Sequence, residues 1–235
     1  MPSYEHFARC YDELHRDDPL GNVERVRGYL ARYAPRARAV LELGCGSGAI
    51  LAELDGGLAV TGIDRSPAML ARARARAPDA RLLEADIAAF ELGTRFDAVL
   101  CLFDTLNHLE RFDAWRSLFD CAADHLGDGG LFAFDVNTVG ALRRLGEASA
   151  WDVELSNVTV RQWVEPLGER RWIWHVELHE AGGRMVEERI VELGVELDRL
   201  EDALCARFEV LESTDESGAP PSDDSQRAFY ACRRR

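Results

Sequence analysis

Glu42, Gly44, Gly46 and Gly48 occupy alternate positions behind the apolar pair Val40-Leu41, and Asp64 closes the next apolar run, Val60-Thr61-Gly62-Ile63. Glycines that follow a strand let backbone N–H groups approach a ligand closely, and an acid at the end of the second strand can accept ribose hydroxyls. These residues together describe a nucleotide-cofactor site, with Cys45 contributing backbone rather than thiol chemistry. The stretch Gly44-Cys45-Gly46-Ser47-Gly48-Ala49 also satisfies the loose dinucleotide pattern G-x-G-x-x-[G/A], and Asp64 follows at roughly the ~20 residues that pattern asks for. Glu42 separates the two ligand classes by charge. A carboxylate two residues before the turn repels a pyrophosphate seated at a helix N-terminus and attracts a cationic nucleoside without phosphate.

S-adenosylmethionine carries a sulfonium and an ammonium and has no phosphate. The pattern Glu-x-Gly-x-Gly-x-Gly resembles motif I of the class I S-adenosylmethionine-dependent methyltransferases, and the motifs that carry this likeness cover about residues 36–136. The resemblance implies a Rossmann-like α/β fold: a seven-stranded, mostly parallel sheet with its last strand reversed. It places Glu42, Gly44, Cys45 and Gly46 at the donor's turn and Asp64 with the adjoining Arg65 at its ribose. It puts Asp86 on the adenine amino group with the Ile87 N–H on a ring nitrogen, Glu84 being a competing acid. The backbone of Cys101, Leu102 and Phe103 then lies beside the donor, and Asp97, at the far end of that strand, is structural.

The loop Leu102-Phe103-Asp104-Thr105-Leu106-Asn107-His108-Leu109 is similar to that of small-molecule N-methyltransferases related to aminosugar dimethyltransferases and glycine N-methyltransferase. Tyr4-Glu5-His6-Phe7-Ala8-Arg9-Cys10-Tyr11-Asp12 resembles that group's opening helix, which folds over the cofactor, and Gln226-Arg227-Ala228-Phe229 its last strand. The resemblance implies that Tyr4 orients the nucleophile and Tyr11 covers the donor. A sulfonium methyl is already activated, so the protein chiefly holds a deprotonated nucleophile in line and excludes water, and no metal is required. His108 is the expected general base, since imidazole titrates near neutrality. Asp104, Asn107, Asp135, Asn137 and Trp151 are candidate substrate contacts. An acidic pocket suits an amine acceptor, with oxygen as the alternative. An NAD-linked oxidoreductase and a catalytically idle cofactor-binding regulator are the other classes the residues allow.

The elements that must position these groups follow from periodicity. Val23, Val26, Leu30 and Tyr33 recur at helical spacing ahead of Pro35. Strands are expected at 38–43, 59–64, 80–84, 96–102 and 131–136, and helices near 47–55, 67–77 and 111–126, an alternation that builds a parallel sheet covered on both faces. Ser66 and Pro67 read as N-cap and first turn, and Gly127-Asp128-Gly129-Gly130 as a turn into the fifth strand. The Ala/Arg alternation of 71–77 reads as composition bias on an exposed helix, with no role for its arginines.

Beyond Val136 the pattern changes to three extended segments, 151–165, 170–180 and 184–195, read as an antiparallel meander. A helix at 196–206 and strands at 207–212 and 226–233 complete the chain. The expected divisions are 1–137 for the lid helix and donor-binding core, 138–195 for a substrate-capping β insertion, and 196–235 for the end of the core sheet. His175 and His179 invite a metal reading, but in a strand residues four apart stand about 13 Å from each other, beyond a shared ion. Trp172, Trp174, Val176 and Leu178 would instead form one apolar face that, with Trp151 and Trp163, packs the meander down or roofs the pocket.

Composition narrows the partners. A chain of 235 residues, 47% hydrophobic, supports one sizeable α/β core. A net charge of −14 opposes binding to a phosphate backbone. No run reaches the ~20 apolar residues of a membrane span, and the N-terminus shows neither a basic nor an apolar leader region. Six cysteines without a C-x-x-C pair read as reduced thiols. The expectation is a cytoplasmic monomer or homodimer acting on a small molecule, with no nucleic-acid or membrane partner.

Overall fold

The computed structural model describes residues 4–16, 18–54, 56–168 and 170–235. Met1 to Ser3, at the head of the expected leader-free N-terminus, lie outside them. Apolar runs bounded by glycines form the central strands β1 (Ala39–Leu43), β2 (Ala59–Asp64), β3 (Arg81–Glu84), β4 (Phe96–Cys101) and β5 (Leu126–Asn137). Two later strands, β10 (Phe208–Thr214) and β11 (Arg227–Arg234), join them in a seven-stranded sheet of order β10-β11-β5-β4-β1-β2-β3. Pairings among β1 to β5 are parallel, and β11 runs antiparallel to both β5 and β10. This is the expected sheet with one reversed strand.

Helices close both faces. On one side α2 (Asp18–Tyr33), α3 (Ala49–Leu54) and α4 (Pro67–Arg76) bury Val26, Tyr29, Ile50, Leu51 and Leu70 against the sheet. On the other, α5 (Phe112–Asp124) and α7 (Leu197–Leu204) bury Trp115, Leu118, Phe119, Leu200 and Leu204. The spacing of Trp115, Leu118, Phe119 and Ala122 sets one apolar stripe on α5, and each large side chain fully removed from water there contributes about 1.5–3 kcal/mol. Ser66 caps α4, its hydroxyl accepting from Met69 N at 3.3 Å. Asp97 fastens the start of β1, Oδ2 accepting from the N–H groups of Arg38 and Ala39 at 2.7 and 3.0 Å, which is a structural role.

Two expectations are corrected. Residues 127–130 are not a turn before β5 but a bulge inside it: Phe96 pairs with Leu126 and Ala98 with Leu131, so four residues of β5 stand opposite the single Asp97 of β4. The meander has four strands rather than three. β6 (Trp151–Glu154), β7 (Val158–Gly168), β8 (Arg171–Glu180) and β9 (Met185–Leu193) form a separate antiparallel sheet, because Ser156-Asn157 turns the chain inside the first expected segment. A helix the sequence reading omitted, α6 (Val139–Glu147), links β5 to this sheet and packs Val139 and Leu142 on Val164 and Trp172. His175 and His179 both lie in β8. His175 stacks on Trp163 at 4.5 Å, on the face opposite Trp172, Val176 and Leu178.

The N-terminal segment with α1 (Ala8–Leu14) packs Phe7 and Cys10 on Val160, Val176, Leu178 and Ile190 of the small sheet. Three backbone donors converge on one carboxylate of β9: Tyr4 N and Phe7 N reach Glu188 at 2.7 and 2.9 Å, and His6 N also donates to it. Glu180 pairs with Arg9, and Glu13 accepts from Ser156 N and Oγ at 2.8 and 2.6 Å.

Candidate active site

β1 delivers its chain into the glycine turn with Gly44 at φ 67° and Gly46 at φ 50°, backbone conformations that side chains disfavour. A Cβ on Gly44 would lie 2.3 Å from Thr105 Cγ2, so the turn presses on the 3₁₀ segment Thr105–His108; a Cβ on Gly46 would project into open space. That space is a cavity of 460 Å³, large enough for a nucleoside ligand. Glu42, Gly44, Cys45, Gly46, Asp64, Arg65, Asp86 and Ile87 line it from the sheet, Phe103 and His108 from the loop after β4, and Tyr4, Tyr11 and Asp12 from the N-terminal segment. Glu84 does not, so Asp86 is the acid at the end of β3 that faces the cavity.

Glu42 is 3% exposed, and its Oε2 is buried without a hydrogen-bond partner. Burial, then the neighbouring Asp64, push its carboxyl well above the usual range. Asp64 spans the turn: Oδ2 accepts from Gly46 N and Oδ1 from Ser66 N, each at 2.8 Å. Burial raises its pKa and these two donors oppose the rise.

After β4 the chain takes two successive left-handed residues, Phe103 (φ 58°) and Asp104 (φ 51°). Such residues cost about 1–3 kcal/mol each and need support. Asp135, fully buried on β5, supplies it by accepting from Phe103 N at 3.1 Å and Asp104 N at 2.6 Å. Arg227 of β11 neutralises the pair, Nη1 on Asp135 at 2.9 Å and Nη2 on Asp104 at 2.7 Å. The strained turn presents His108 to the cavity. Its Nδ1 lies 3.2 Å from the Asp104 carbonyl, an oxygen that only accepts, so Nδ1 carries the proton and Nε2 is the acceptor. Tyr4 Oη stands 2.7 Å from Nε2 and donates to it. Burial lowers the His108 pKa, against the raising effect of Asp104, and burial holds the Tyr4 phenol well above its ordinary value. The resting dyad is therefore neutral imidazole and protonated phenol.

The sequence reading missed the clamp on the other side of α1. Asp12 accepts from Ser47 Oγ at 2.5 Å, Arg72 Nη2 at 2.5 Å and Arg76 Nη1 at 2.8 Å. The arginines dismissed as composition bias thus tie the N-terminal segment to α4 and the glycine turn. Against burial, the bonds from Ser47 and Arg72 hold the Asp12 carboxyl below its usual range.

Residues 40–130 match the family profile described as a methyltransferase domain. The chain is 38% identical to dTDP-3-amino-3,6-dideoxy-alpha-D-glucopyranose N,N-dimethyltransferase of Streptomyces fradiae over 43% of its own length and 42% of that enzyme's, so less than half of that relative is spanned. It is 32% identical to dTDP-4-amino-2,3,4,6-tetradeoxy-D-glucose N,N-dimethyltransferase of Saccharopolyspora spinosa over 69% of this chain and 74% of the relative. The chain belongs to the class I S-adenosylmethionine-dependent methyltransferases. The fold agrees: an S-adenosylmethionine-dependent methyltransferase from Clostridium acetobutylicum superposes with a TM-score of 0.86 at 21% identity, over 98% of both chains.

The residues of this methyltransferase fit its donor. The orphaned Glu42 oxygen beside the glycine turn offers a buried acceptor whose ionised form a cationic ligand would favour, the open space at Gly46 admits a ligand against backbone, and Asp64 keeps a free lone pair on each oxygen for hydroxyls. Other expected residues stand elsewhere. Cys101 and Leu102 are buried behind the cavity wall, which Phe103 reaches alone. Asn107 is spent on structure, Nδ2 donating to the Asn137 and Leu193 carbonyls and Oδ1 accepting from Asn137 N, each at 3.0 Å. Asp135 and Asn137 lie off the cavity lining, and Trp151 packs edge-to-face on Trp174 at 5.8 Å. Asp104 touches Arg227 rather than the lining. Asp64→Ala is expected to weaken binding of S-adenosylhomocysteine by about 1–3 kcal/mol, read by calorimetry. Unchanged affinity would remove Asp64 from the donor site.

Proposed function

We propose that this methyltransferase moves a methyl group from S-adenosylmethionine to the nitrogen of a small-molecule amine, with amino sugars the first class to test and a hydroxyl acceptor as the second reading. The observation that carries the proposal is the neutral Tyr4–His108 dyad at the cavity edge, set beside the half-buried Asp104 and the buried Glu192. An acid-lined, partly closed pocket favours a cation, and the amino-sugar N,N-dimethyltransferase activities of the relatives agree. The proposal includes a cytoplasmic setting, small-molecule metabolism and segment 138–195 as the substrate cap. Among the described residues no helix is long and apolar enough to cross a membrane.

The donor supplies a methyl group already activated by positive sulfur. The chain's own residues then bind, align and deprotonate. Glu42 and Asp64 fix the donor side, and Tyr4, Tyr11 and Asp12 close over it and exclude water. An amine must expose its lone pair before it can attack. Tyr4 Oη has lone pairs to take an ammonium proton while passing its own to His108 Nε2, leaving an imidazolium whose Nδ1–H stays on the Asp104 carbonyl.

Screening small amines and their hydroxyl isosteres with methyl-labelled donor tests the reading, and label is expected on nitrogen. Transfer to the hydroxyl series with none to the amines would overturn it. His108→Ala is expected to lower kcat by about 10²-fold or more while donor affinity holds. His108 must be neutral to accept the proton, and burial lowers its pKa, so the acid limb of the wild-type kcat profile should fall below the ordinary histidine range. Full activity of His108→Ala across pH 6–9 would take the residue out of the mechanism.

A further inference from the structure

The amine reading leaves one buried acid unassigned. Glu192 lies on the inward face of β9, 3% exposed, off the lining of the cavity itself but directly behind His108, which lines it. Asn137 Nδ2 donates to its Oε2 at 3.1 Å, and Oε1 accepts no hydrogen bond among the described residues. One carboxylate oxygen of Glu192, one of Asp104 and a ring nitrogen of His108 all lie within 4.8 Å of one another. The charged and titratable groups facing it are Asp104 and His108 from the loop after β4, Arg227 from β11 and Tyr4 from the N-terminal segment, with Asp135 behind Arg227. Arg227 is already spent on Asp104 and Asp135. Three carboxyl groups therefore share one guanidinium beside a neutral imidazole, and a buried acid without a partner is costly. Arg227 on Asp104 Oδ1 sets a fixed positive charge beside the group, which opposes a metal ion there, whereas a directional N–H donor needs only the free oxygen of Glu192.

We propose that Glu192 is the acceptor-binding residue: its Oε1 receives an N–H of a primary or secondary ammonium and holds that nitrogen beside the Tyr4–His108 dyad. This rests on the amine reading above. Burial, then Asp104, push the Glu192 carboxyl up to about 8 despite Arg227, so near neutrality it is protonated until an ammonium docks. Docking of an ammonium ionises it and releases one proton to solvent, leaving a carboxylate–ammonium pair. The dyad then takes the second proton, from nitrogen, before transfer.

The test uses the full chain saturated with S-adenosylhomocysteine and carbon-13-labelled at glutamate carboxyls, the Glu192 signal being assigned by its loss in Glu192→Gln. Methylammonium chloride, against sodium chloride at equal ionic strength, is expected to lower the Glu192 titration midpoint by about one pH unit or more, a tenfold preference of the ionised form for the cation. An unmoved midpoint overturns the proposal. With an amine acceptor from the screen, Glu192→Gln should raise KM at least tenfold with a smaller change in kcat and abolish the proton release seen by calorimetry in buffers of different ionisation enthalpy. Glu192→Asp should restore that release, and unchanged S-adenosylhomocysteine affinity reports that both variants fold. Unchanged KM and proton release in Glu192→Gln also overturn it. If only hydroxyl compounds are methylated, the amine reading fails, and the methylammonium titration still decides the role of Glu192.

Discussion

Asp135→Ala is expected to lose about 3–5 kcal/mol of folding stability, the cost of stripping one partner from a buried ion pair together with its backbone donors. Three bonds end on this fully buried carboxylate: Arg227 Nη1 at 2.9 Å and the N–H groups of Phe103 and Asp104 at 3.1 and 2.6 Å. Those N–H groups belong to the two left-handed residues, so the substitution removes the acceptor that makes the strained turn tolerable. Asp104→Ala should cost less, because Asp104 is 19% exposed and Arg227 keeps Asp135. Urea unfolding of the two variants checks this. A loss under about 1 kcal/mol for Asp135→Ala would mean that the turn stands without its support.

Gly46→Val is expected to reduce affinity for S-adenosylhomocysteine at least ~100-fold, about 2.7 kcal/mol. Two effects act in the same direction. At φ 50° a β-branched residue is strained. Its methyl groups would also fill the open space at the turn where a ligand meets backbone. Gly46→Ala, carrying one carbon into that space, should fall between wild type and valine. Calorimetry measures the series, and wild-type affinity in the valine variant would move the donor away from this turn.

The strands of the large sheet were legible because each apolar run is bounded by glycine or charge, and the parallel order followed from their alternation with helices. α6 was not legible, since Gly140 and Gly146 depress helix propensity. The structure shows why Gly140 is there: a Cβ would lie 2.5 Å from the Asp223 carbonyl, so the glycine allows close packing, and the Thr138 hydroxyl caps the helix from Ala141 N at 3.1 Å. In the site, Glu42, Gly46, Asp64, Asp86 and His108 were readable from motif position and line the cavity. Asp135 and Asn137 were placed at the correct strand end, but sequence does not show that Arg227, ninety-two positions away, claims Asp135. Glu188 and Glu192 were missed although a signal existed. Val186, Glu188, Ile190 and Glu192 share one phase of β9, and a glutamate in step with the apolar side of a strand must find a partner inside.

Glu188 gathers the N-terminal segment from the small sheet while Asp12 gathers it from the glycine turn, so one short stretch of chain fastens the β insertion and the donor turn to each other across the cavity.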